Sequence, residues 1–147
     1  MQAAEKERLA RRRLSKIDSL LKSKGVDAAL KALTILRIEI PLTATTKRWT
    51  ENYRDMLLAW QAGLMPEVAK EFKNFGFRRA QNAAHQAGGL ADNKRLIQCY
   101  GACAQALADM AERSRLAFNE DEKSDAPPTE VALCDVSEEQ LARGTKF

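Results

Sequence analysis

The sequence contains no uninterrupted apolar run near the roughly 18 residues that a membrane-crossing helix requires, which argues against a transmembrane segment. Charged residues recur through Lys16 with no apolar stretch among them, so no secretory leader is expected. Cysteine is scarce. Cys99, Cys103 and Cys134 form an odd set without the density of a disulfide scaffold, a usage that suits a reducing, cytoplasmic compartment. Histidine is scarcer still, with His85 alone. Cys99 and Cys103 are four apart and share a helical face, but a structural zinc site needs about four ligands and His85 lies beyond a double glycine, so no metal is expected. Gly88-Gly89 lacks the Lys-Ser/Thr of a phosphate-binding loop, and no nucleophile or orienting carboxylate stands at recognisable spacing from His85. Neither a catalytic role nor a cofactor is expected.

What the chain does have is an uneven distribution of charge. Residues 1 to 50 carry 12 Lys or Arg against 5 Asp or Glu, whereas residues 118 to 147 carry 3 against 8. The net charge of +4 therefore conceals a basic front and an acidic end. Such polarity points to an anionic partner, or to an acidic segment that competes with one by folding back.

Apolar spacing predicts helices throughout. Ala3, Ala10, Leu14, Ile17 and Leu21 recur at steps of seven, four, three and four over residues 3 to 24, and Gly25 ends the run. Val26, Ala29, Leu30, Leu33 and Leu36 share a second face, closed by Pro41. Residues 46 to 62 form a third helix, with a cap from the hydroxyls at Thr45 and Thr46 and a stripe of Trp49, Tyr53, Met56 and Trp60. Pro66 opens a fourth segment that lines up Val68, Phe72 and Phe75, and helix resumes from Phe77 to Ala87, where Gly88-Gly89 interrupts. Asp92 then caps a long helix to Phe118, with a seam of Leu96, Tyr100, Cys103, Leu107, Met110 and Ala117.

The expected fold is all-α, a bundle of about five helices with short loops over residues 1 to 118. Residues 119 to 147 read as an acidic flexible tail, with a capping box at Ser137-Glu-Glu-Gln140 that predicts a short helix near residues 137 to 142.

The candidate binding residues are basic: Arg8, Arg11, Arg12, Arg13 and Lys16 on the first helix, Lys47 and Arg48 opening the third, and Arg78 and Arg79 after Gly76. Arginine's planar fork suits phosphate, and about five such contacts on a duplex give a slope of log K against log salt near −4.5. The expected function is a non-enzymatic accessory subunit that binds nucleic acid, DNA or RNA, in a larger assembly or as an oligomer. The heptad-like seams of the first and last helices offer surfaces for self-association or a protein partner. The aromatic stripe is expected to be core, although Trp49, Tyr53 and Trp60 beside Lys47, Arg48 and Arg54 also have the chemistry to stack bases.

Two other readings compete with this one. The basic face suits an acidic protein partner, as in an adaptor or chaperone. In addition, residues 57 to 72 resemble the opening half of a helix-turn-helix, with Arg78, Arg79, Gln81 and Asn82 on the would-be recognition helix. The pattern departs at Phe72-Lys-Asn-Phe-Gly76, which is too long for the second turn and lacks its apolar anchor.

Overall fold

A computed structural model describes residues 2–123, with side chains as far as Asn119. The described residues form six helices and no strand: α1 (Ala3–Lys24), α2 (Val26–Glu39), α3 (Ala44–Gln61), α4 (Pro66–Phe75), α5 (Phe77–Leu90) and α6 (Lys94–Lys123). Contacts divide the chain into one compact unit, Met1–Arg113, and a second that begins at Ser114 within α6. The proposed acidic tail beyond Lys123 and its short helix lie outside the described residues.

Single glycines joint the first and second, and the fourth and fifth, helices. Gly25 and Gly76 have φ of 101° and 105°, a region closed to most L-residues, so the chain turns between helices in one step. Pro66 begins α4 after Met65, which is 2% exposed and adopts the left-handed conformation with φ of 56°. Its side chain is held in the core and the backbone conforms.

The predicted stripes supply that core. Ala10, Leu14, Ile17 and Leu21 of α1 meet Ala29, Leu33 and Leu36 of α2, with Ile40 just beyond. Helix α2 packs on α3, whose Trp49, Tyr53, Met56, Leu57 and Trp60 are all buried. Each large aromatic removes about 150–250 Å² from water, more than any aliphatic neighbour. The ring of Trp60 meets Phe72 of α4 at 5.9 Å between centroids. Helix α6 adds Cys103, Leu107 and Met110. Its bonds run from Glu112 to Trp49 and from Asp109 to Asn52, so it lies antiparallel to α3.

Three expectations are corrected. Helix α5 does not stop at Gly88-Gly89 but continues through both to Leu90. A Cβ on Gly88 would lie 3.1 Å from the Cβ of Tyr100, so this glycine permits close approach of α5 to α6. Thr43, not Thr45 or Thr46, caps α3: its hydroxyl accepts from the Thr46 N–H at 3.2 Å, and the Thr46 hydroxyl accepts from the Thr43 N–H at 2.7 Å. Asn93, not Asp92, serves α6, accepting from the N–H groups of Arg95 and Leu96 at 2.8 and 3.3 Å. In addition, α6 runs to Lys123, past the expected end at Phe118.

Candidate nucleic-acid interface

Helix periodicity sorts the basic residues of α1 into separate groups. Arg8, Arg12 and Lys16 are four apart, so they share one ridge, and all three are exposed. None forms an ion pair among the described residues. Arg11 falls on the core side of α1 and is 6% exposed. Arg13 faces α2, where its Nη2 donates to Glu39 Oε1 at 2.9 Å.

The other candidates are likewise divided. Lys47 is exposed, but Arg48 donates to Glu112 Oε1 at 2.7 Å and lies 3.8 Å from Asp109. Arg79 pairs with Glu71 at 3.5 Å and sits 4.0 Å over the ring centroid of Phe75, while Arg78 is 5.8 Å from that of Phe77. Arg78 and Arg79 occupy the first turn of α5, where the helix dipole disfavours cations and the turn itself holds no acidic residue. The expectation of one continuous cationic surface is therefore corrected to the Arg8–Arg12–Lys16 ridge, because burial and carboxylates on other helices withdraw Arg11, Arg13, Arg48 and Arg79 from it.

Beneath this surface lies a polar cluster that the sequence did not reveal. Arg113 is 2% exposed, and its Nη1 and Nη2 donate to Asp18 at 3.0 and 3.3 Å. The Tyr53 hydroxyl donates to the same carboxylate at 2.7 Å. Burial, then the charge of Asp18, then this hydrogen bond push the Tyr53 pKa well above its ordinary value, opposed by Arg113. Asp109, 3% exposed, accepts from Asn52 and Gln105 at 2.9 and 3.1 Å. Glu112 joins Arg48 to the Trp49 indole N–H, which reaches it at 3.1 Å. These residues bind α6 to α1 and α3.

The remaining sequence candidates find places in the fold. Trp49 and Tyr53 are each 1% exposed and Trp60 is 8%, so the stripe is core and has no face for a base. Burial pushes the Cys103 thiol up to about 12, leaving it protonated at neutral pH. No group of three or more His, Cys, Asp or Glu among the described residues is placed to hold a metal ion. The apolar seams expected to meet a partner face inward, since Leu14, Ile17, Leu107 and Met110 are buried in this fold. No described helix is long and apolar enough to cross a membrane.

Between α5 and α6 lies an open groove of about 370 Å³, lined by small residues such as Ala84, Gly88, Gly101 and Ala104, with His85 and Tyr100 as its titratable groups. The Tyr100 hydroxyl is engaged with Glu67 at 2.6 Å, a bond that raises its pKa to about 12. In the stretch of the helix-turn-helix pattern, α4 continues to Phe75 and Gly76 alone joins it to α5. No family model matches the chain, and no significant match was found among curated proteins or solved structures.

Proposed function

We propose that this protein is a non-enzymatic helical accessory subunit that binds nucleic acid through the outward ridge of α1, within a larger nucleoprotein assembly in the cytoplasm. The observation that carries the reading is Arg8, Arg12 and Lys16, three exposed cations at successive helical turns with no carboxylate partner among the described residues. Like charges four apart destabilise a helix by about 0.2–0.5 kcal/mol per pair, so the ridge serves its own helix poorly and suits an anion. Residues four apart rise by about 6 Å, a spacing that suits successive phosphates of a nucleic-acid strand. The free thiols of Cys99 and Cys103 accord with a reducing compartment.

Titration against short duplexes and single strands between about 50 and 300 mM salt tests this reading. Three contacts give a slope of log K against log salt near −2.7 on a duplex and about −2.1 on a single strand, shallower than nine freely available cations would give. Replacing Arg8, Arg12 and Lys16 by Gln should weaken all sequences alike, while Arg13→Gln should have little effect. A wild-type chain that binds neither nucleic acid at the lowest salt refutes the reading.

One observation favours the adaptor reading instead. Ile35 and Ile38 of α2 are 46% and 80% exposed, on the helix joined to α1 by the Arg13–Glu39 pair. Isoleucines near cations suit an acidic amphipathic protein segment. That reading predicts that Ile38→Glu abolishes partner capture and leaves nucleic-acid affinity unaffected.

A further inference from the structure

At the elbow between α4 and α5, Phe75-Gly-Phe-Arg-Arg79 brings two arginines against two aromatic rings. Glu71 and Phe75 are four apart on α4, and Arg79 reaches across from α5 to lie over the Phe75 ring at 4.0 Å while contacting Glu71 at 3.5 Å. The carboxylate thereby draws the guanidinium toward the ring. Packing does not require this ring: Phe72, one turn earlier, is the buried member of the pair, whereas Phe75 remains 55% exposed even with Arg79 above it. The Arg79 side chain is itself 59% exposed. Gly76 sets the elbow with a φ that other residues adopt only under strain, and nothing lies within 4 Å of where its Cβ would be. Lys73 and Arg78, both exposed, add positive charge to either side.

We infer that this elbow is a stacking site for an unpaired base of a single-stranded nucleic acid, in which the base extends the Phe75–Arg79 stack and Lys73 and Arg78 meet the flanking phosphates. A guanidinium plane and an exposed aromatic ring both accept a base face, and such stacking is indifferent to base identity. The inference rests on the proposed binding of nucleic acid by α1, to which it adds a preference for single strands. Phe75 was absent from the sequence-based candidates because it fell in register with Val68 and Phe72 and so read as core.

The test uses the full chain and four fluorescent probes of about 12 nucleotides: oligo-dT, oligo-U, an abasic deoxy strand of equal charge, and a duplex. The wild type should bind oligo-dT and oligo-U more tightly than the abasic strand, by about tenfold for one stacked base. Phe75→Ala should remove that preference and leave abasic and duplex binding unchanged, and Phe75→Trp should restore it. Unequal tightening on dT and U assigns the site to DNA or RNA, and either result supports it. Equal affinity of the wild type for abasic and base-bearing strands overturns the stacking site while leaving the α1 ridge intact. A Phe75→Ala chain that keeps the wild-type preference does the same. Failure of the wild type to bind any of the four, the duplex included, removes both readings.

Discussion

Asp18→Ala removes one carboxylate and leaves three donors without their acceptor: Arg113 Nη1, Arg113 Nη2 and the Tyr53 hydroxyl. Arg113 already has a buried Nε without a partner, so the guanidinium would retain no hydrogen bond from this pair. Breaking a buried ion pair costs about 3–5 kcal/mol, and because the Asp18 side chain is 26% exposed water can enter the space, which places the loss near 3 kcal/mol. Against a typical total of about 5–15 kcal/mol, that is a large fraction. Urea unfolding followed by circular dichroism should show a lower midpoint with an unchanged slope, accompanied by a fall in Tm of about 6–12 °C. The cost arises from stranded polar groups rather than from lost attraction. Adding Arg113→Met and Tyr53→Phe to Asp18→Ala should therefore recover about 2 kcal/mol, although each removes a native side chain. A loss below about 1 kcal/mol for the single variant, or no recovery in the triple, would refute the reasoning.

Alkaline titration offers a second test, since the sequence holds only two tyrosines and both have raised pKa values. The native state holds these protons more tightly than the unfolded chain, so their contribution is complete below about pH 10 and is lost as pH rises through the native values. Near-ultraviolet absorbance should show no phenolate step at the ordinary tyrosine pKa of 10.0; Tyr100→Phe should remove the component near 12, and Tyr53 should ionise only on unfolding. A step at the ordinary value in the folded protein would contradict the hydrogen bonds to Asp18 and Glu67. The glycines divide in the same manner under thermal denaturation. Gly89→Ala, helical and with open space around its Cβ, should stabilise by about 0.5–1 kcal/mol. Gly88→Ala should fall short of that gain because its methyl presses on Tyr100, and Gly76→Ala should destabilise by about 1 kcal/mol or more through its positive φ.

Helix positions were legible because each core face repeats within one element. Leu14, Ile17 and Leu21, or Trp49, Tyr53 and Trp60, declare their side from spacing alone, and Gly25 marks the end of α1. The double glycine was misread because its purpose is tertiary: it brings α5 close to Tyr100, which no local pattern records. The caps were misplaced by one to three residues because neighbouring Thr and Asp or Asn residues carry interchangeable capping groups. Charge was legible as a count but not as a surface. Arg13 is neutralised by a residue 26 positions away, Arg48 by one 64 away, and Asp18 by one 95 away. Only the four-residue spacing of Arg8, Arg12 and Lys16 could have singled out the ridge beforehand.

The span between Asp18 and Arg113 also predicts an order of assembly. The α1–α2 and α4–α5 hairpins join neighbours through one glycine each and can form early, whereas the contacts of α6 with α1 and α3 close the longest loops and come late. During synthesis the chain would therefore wait for α6 before Trp49 and Asp18 gain Glu112 and Arg113 as partners. Mutations on the α6 side should accelerate unfolding more than they slow folding, a ratio that stopped-flow kinetics would measure directly.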